Sequence, residues 1–65
     1  MPAAVPDLAE INATVERMEE RYRGHRLFAD YLRLRDRFDV DLADARDRAL
    51  AKSAALMLIK FELEG

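Results

Sequence analysis

The sequence predicts an all-α protein, an antiparallel helical hairpin with a long second helix. Three observations carry that expectation. Apolar residues recur at spacings of three and four along two stretches of the chain. An Asp-x-x-Glu box, Asp7 to Glu10, opens the first stretch, and Gly24 stands just past its end. Between Gly24 and Gly65 no glycine or proline interrupts the second.

Residues 1–6, with Pro2 and Pro6, read as a flexible tail. Helix 1 is expected over 7–23. Its seam is Leu8, Ile11, Val15, Met18 and Tyr22, a narrow heptad stripe. Acids lead the helix and Arg17, Arg21 and Arg23 close it, as the helix dipole prefers. Residues 24–26 form the turn, with Gly24 as a natural C′ stop of helix 1. Helix 2 is expected over 27–63, with Leu27, Tyr31, Leu34, Phe38, Leu42, Ala45 and Ala49 as its stripe. Phe28 and Leu32 lie off that stripe and widen the apolar face. A competing pattern breaks this helix at 39–41 and yields a three-helix bundle. There Arg33, Arg35 and Arg37 close one helix and Asp39, Asp41 and Asp44 open another. Asp41-Leu42-Ala43-Asp44 repeats the pattern of Asp7-Leu8-Ala9-Glu10.

The whole chain, 65 residues, is one small helical domain. A domain of this size buries only about 60% of its unfolded surface. With no cysteine, neither a disulfide nor a thiolate metal site reinforces it. The C-terminal third is unusually oily. Leu50, Leu56, Met57, Leu58, Ile59, Phe61 and Leu63 crowd a segment interrupted by Lys52, Ser53, Lys60 and Glu62. In a two-helix hairpin, Leu8 lies near Leu42, and everything beyond about residue 45 lacks cover from its own chain. At ~1.5–3 kcal/mol for each full burial, leaving those side chains in water forfeits on the order of 10 kcal/mol. Either the helix breaks and folds back, or another chain covers it.

Charge is distributed unevenly. The net charge is −2, yet residues 17–37 hold seven arginines against four acids. Arg21, Arg23, Arg26, Arg33 and Arg37 form a candidate basic patch at and beyond the turn. Clustered arginine neutralises phosphates. Here Asp30 and Asp36 are interleaved, and no neutral polar residue stands among the arginines to read base edges. Lys52 and Lys60 interrupt the C-terminal apolar stretch, so no membrane span is expected. The start of the chain lacks a signal-peptide pattern, and with the absence of cysteine this suggests a cytoplasmic protein.

Signals for chemistry are sparse. His25 is the only histidine and reads as a turn residue. No catalytic or cofactor-binding residue is indicated, and no cofactor is expected. Glu19, Glu20 and Asp30 read as solvated helix charges. No metal site is expected either: no Glu precedes a His by three, and the run from Asp39 to Asp47 lacks the spacing of a calcium loop.

Ile11-Asn12-Ala13-Thr14-Val15 followed by Leu27-Phe28-Ala29-Asp30-Tyr31, with Phe38 further on, resembles the pattern of needle subunits of type III secretion systems. That resemblance covers residues 11–42 and implies a cysteine-free helical hairpin that polymerises. The chain departs from the family at residues 22–26, where the needles carry a Pro-x-Asn-Pro-like turn. It departs again at 44–48, where they are rich in Asn and Ser.

The expected function is therefore association: a small non-enzymatic subunit, adaptor or assembly factor. It would pair with itself, as a dimer or higher oligomer, or dock on another helical protein. The expected anchors are Leu50, Leu56, Met57, Ile59, Phe61 and Leu63. The alternative is a small dimeric nucleic-acid-binding regulator or antitoxin that uses the arginine-rich turn.

Overall fold

The computed structural model describes residues 7–64, which form α1 (Leu8–Tyr22), α2 (Phe28–Asp41) and α3 (Ala45–Glu64). No strand occurs among the described residues. The all-α expectation holds, in its three-helix form. The expected tail over residues 1–6 lies outside the described residues. An unbroken helix over 27–63 would measure roughly 55 Å, whereas the longest dimension of the molecule is 39 Å.

Local signals start α1 where the sequence places them. The Glu10 N–H donates to Asp7 Oδ1 at 2.8 Å, so Asp7 caps the helix. Ile11, Val15 and Tyr22 are buried, with Leu8 and Met18 packed against the same core. The turn that follows begins where the sequence places it, with Gly24 just after the C-cap residue Arg23. No described residue has a positive φ, so Gly24 ends the helix without a left-handed turn. Short-range bonds close the turn instead. His25 N–H donates to the Tyr22 carbonyl at 2.9 Å, and Phe28 N–H donates to the His25 carbonyl at 2.9 Å. His25 Nδ1 accepts from the Leu27 N–H at 3.1 Å, which makes the imidazole part of the turn.

In α2 the inward face is rotated from the apolar stripe. Phe28 and Tyr31 are buried and Phe38 packs on the core, while Leu34 is exposed. Arg35 occupies the intervening helical position and donates to Glu19 of α1 at 3.1 Å. A charged residue on the inward edge hid this phase in the sequence. The rings of Phe28 and Tyr31 lie 5.3 Å apart in a tilted arrangement.

The chain breaks at residues 42–44, just beyond the 39–41 of the three-helix alternative. Leu42 turns extended after its N–H donates to the Phe38 carbonyl at 2.9 Å. Asp44, not Asp41, then opens α3: its Oδ1 accepts from Arg46 N–H at 2.7 Å. Arg48 reaches back, and its Nη1 donates to the carbonyls of Leu42 at 2.8 Å and Ala43 at 2.9 Å. Those carbonyls have lost their helical partners, and one guanidinium satisfies both. Asp41 stays in α2 and pairs with Arg37 at 3.4 Å.

The break lets α3 fold back, and it packs against both α1 and α2. Ala49, Ala55, Leu56 and Ile59 are buried there, Leu56 completely. Two-helix hairpin geometry would bring α1 against α2. Instead α3 is the partner of both, and the C-terminal segment does have cover from its own chain on one side.

Two stability changes follow from these termini. An added Cβ at Gly24 meets nothing within 4 Å. Gly24→Ala should therefore raise stability by about 0.4–1 kcal/mol, through the unfolded chain's lost freedom. A lower urea midpoint would show that the turn needs glycine after all. Asp44→Ala should lower stability by about 1 kcal/mol, and Asp41→Ala by much less; equal effects in urea titrations would contradict the assigned cap.

Candidate interaction face on the third helix

An amphipathic helix has one apolar stripe; α3 has two. Along its inward side run Ala49, Ala55, Leu56 and Ile59, all buried. On the opposite side Leu50, Ala54, Leu58 and Phe61 follow at spacings of four, four and three, and all four are exposed. Leu58 is 67% exposed, Phe61 60% and Leu50 46%. The sole charge in line with this outer stripe is Asp47, at its N-terminal end.

The expected anchors thus divide. Leu56 and Ile59 belong to the chain's own core and are not available to a partner. Met57 is half-buried, at the edge of the outer stripe. Leu50 and Phe61 lie on that stripe, and Leu63, 51% exposed, lies beyond the core near the end of α3. Leu58, the most exposed leucine of α3, was outside the expected set. Its signal was the helical register with Leu50 and Phe61.

A groove of about 330 Å³ separates α2 from the outer stripe. Leu34, Leu58 and Phe61 form its apolar wall, Tyr31 and Ile59 its floor, and Asp30 and Glu62 stand on its rim. Tyr31 fixes the groove from beneath. Its hydroxyl donates to Glu19 Oε2 at 2.5 Å, and the same oxygen accepts from Arg35. Glu19 is therefore a bridge between α1 and α2, not the solvated charge expected from sequence. Burial, then the adjoining Glu19 carboxylate, pushes the Tyr31 phenol above its ordinary value. The bond to Glu19 chiefly holds Arg35 charged.

The basic patch is largely paired along its own helices. Arg23 meets Glu20 at 2.9 Å, Arg33 meets Asp30 at 3.1 Å and Arg37 meets Asp41 at 3.4 Å. Arg21 lies over the Tyr22 ring, 5.9 Å from its centroid. Arg26 is exposed in the turn. Arg21, Arg23 and Arg26 lie around the first turn, whereas Arg33 and Arg37 run down α2. Among the described residues, no group of three or more His, Asp or Glu is placed to hold a metal. None of the described helices is long and apolar enough to cross a membrane. Every buried side-chain nitrogen or oxygen among those residues has a hydrogen-bond partner. The unmet demand of this surface is thus apolar.

No family model, curated protein or solved structure matches this chain. The likeness to needle subunits rests on the spacing within residues 11–42 alone, and the broken second helix departs from a two-helix hairpin.

The Tyr31 network makes a pH prediction. A phenol raised in the folded state holds its proton more tightly than in the unfolded chain. Its contribution is complete below the unfolded value of about 10 and declines as pH climbs above it. Tyr31→Phe should lower stability at neutral pH by about 0.5–1.5 kcal/mol and flatten the alkaline loss. Urea melts at pH 8 and above pH 10, with ultraviolet titration of the phenols, check both.

Proposed function

We propose that this chain is a small association module, a subunit or adaptor that binds another helical surface through the outer stripe of α3. The observation that supports this most is the apolar character of α3 on the side facing away from its own core. Isolated exposed leucines are ordinary on protein surfaces. Leu50, Ala54, Leu58 and Phe61 are different, because they share one helical line and continue into the α2–α3 groove. Contiguous apolar surface of this kind marks interaction sites. Apolar side chains at i, i+4, i+8 and i+11 suit docking of one helix along another.

Nucleic acid is a weaker fit. A phosphate-binding surface needs cations with charge to spare, and Arg23, Arg33 and Arg37 each carry an acidic partner from their own helix. Exposed pairs of that kind bring little stability, but they lower the local positive potential.

Site-specific photo-crosslinking tests the module. A photoreactive residue at position 58, in the cells that make the protein, should give covalent adducts. The same residue at Glu16, exposed on α1, should give none. Absence of adducts from 58, or equal yields from both positions, would defeat the proposal. Leu58→Asp should abolish association while changing the chain's own stability by no more than about 0.5 kcal/mol, as surface substitutions do. Leu56→Asp should unfold the domain, because it places a charge in the core.

A further inference from the structure

We propose that the corner at 42–44 is a hinge, and that it opens into one continuous helix through which two copies of the chain exchange their third helices. The sequence allows that helix: no glycine or proline stands between Gly24 and Gly65. Leu42 and Ala43 are good helix formers, and the corner uses no positive φ. Ala43 and Asp44 are exposed and Leu42 is half-buried, so straightening uncovers little there. Both ends of the corner already keep α-helical bonding. Leu42 N–H donates to the Phe38 carbonyl at 2.9 Å, and Arg48 N–H donates to the Asp44 carbonyl at 3.0 Å. Straightening therefore re-pairs only the N–H groups of residues 43–47.

Side chains stand in for the backbone at this corner. Asp44 Oδ1 accepts from the Arg46 N–H, and Arg48 donates to the carbonyls of Leu42 and Ala43. In a straight helix the Arg46 N–H returns to the Leu42 carbonyl and the Asp47 N–H to that of Ala43. Opening thus exchanges side-chain bonds for backbone ones. Its main cost lies elsewhere, in the inward face of α3, which leaves α1 and α2. A second open copy restores that contact. Two straight helices laid antiparallel set each α3 on α1 and α2 of the other copy. Leu56 and Ile59 regain their burial there, and Lys52 meets Asp39 of the second copy in place of its own. The fit is assured, because these are the surfaces that already pack in the closed chain.

The second copy is the one occupant that a swap admits, and a short hinge makes it an accessible route to a dimer. Since the inward packing is common to both forms, the corner and the protein concentration set the balance. The closed chain prevails at dilution. Exchange requires α3 to leave its own core, so the swapped form arises on refolding at high concentration. The outer stripe of α3 faces away from the core in both forms. This inference is therefore independent of the association reading.

Refolding of the full chain from urea at millimolar concentration, followed by light scattering, tests the hinge. The mass should rise from 7.5 kDa toward twice that value. Asp44→Ala removes the cap from the closed form of both copies and should tighten dimerisation by about thirtyfold. Ala43→Pro should abolish the dimer and keep the folded monomer: proline breaks a helix interior, whereas the extended Leu42 before it suits one. Spin labels on Asp30→Cys and Glu62→Cys, in a chain with no native cysteine, report the form directly. These positions share one groove in the closed chain. Along a straight helix they stand about 48 Å apart, beyond the 39 Å length of the closed molecule. A dimer refolded from doubly labelled chain in excess unlabelled chain should give the long distance. A short distance in that dimer would overturn the exchange, as would an Asp44→Ala chain that stays at one copy. Leu58→Asp should leave the swapped dimer intact, so failure of the outer stripe and failure of the hinge are distinguishable.

Discussion

The burial of one side of α3 against both other helices is the constraint on which the molecule depends. α1 and α2 are 15 and 14 residues long, close to the length at which isolated helices are marginal in water. Each gains its apolar cover chiefly from α3. Leu56, fully buried, lies at the centre of that packing, with Ala49, Ala55 and Ile59 around it. The two alanines let α3 approach its neighbours closely, and Leu56 and Ile59 fill the space so created. With no cysteine to form a disulfide, this core is the main staple among the described residues.

Polar contacts set the geometry in which that burial occurs. Asp44 and Arg48 act on the same three-residue corner from opposite directions. One satisfies a free N–H at the start of α3, and the other collects two carbonyls left by the break. Lys52 then ties α3 to Asp39 of α2 at 3.1 Å. Glu19 joins α1 to α2 by accepting from Tyr31 and Arg35 at one oxygen. Each contact contributes modestly, but together they specify which faces meet, which oily surfaces alone do poorly.

An α3 apolar on both sides joins folding to association. The inward stripe makes the protomer core, and the outward stripe is the surface proposed for association. A monomer with such a stripe in water forfeits apolar burial that a partner would supply.

Much of this was legible from residue order. Asp7 and the seam through Ile11, Val15 and Tyr22 placed α1, because cap and periodicity are local properties. The oily C-terminal third was equally plain from composition. Its phase was not, for a helix apolar on both sides has no periodic signal to say which side turns inward. Leu58 and Ile59 are neighbours in sequence, and only packing against α1 and α2 separates an exposed leucine from a buried isoleucine. The corner at 42–44 was ambiguous for a related reason: Asp39, Asp41 and Asp44 offer comparable local caps, and no glycine or proline chooses among them. The long-range burial of Leu56 and Ile59, together with Arg48 on the freed carbonyls, selects Asp44. Sequence alone determined helix formation and an excess of apolar surface, since both are sums over nearby residues. The tertiary structure decided where the chain turns and which apolar stripe remains in water, because those depend on contacts between segments distant along the chain.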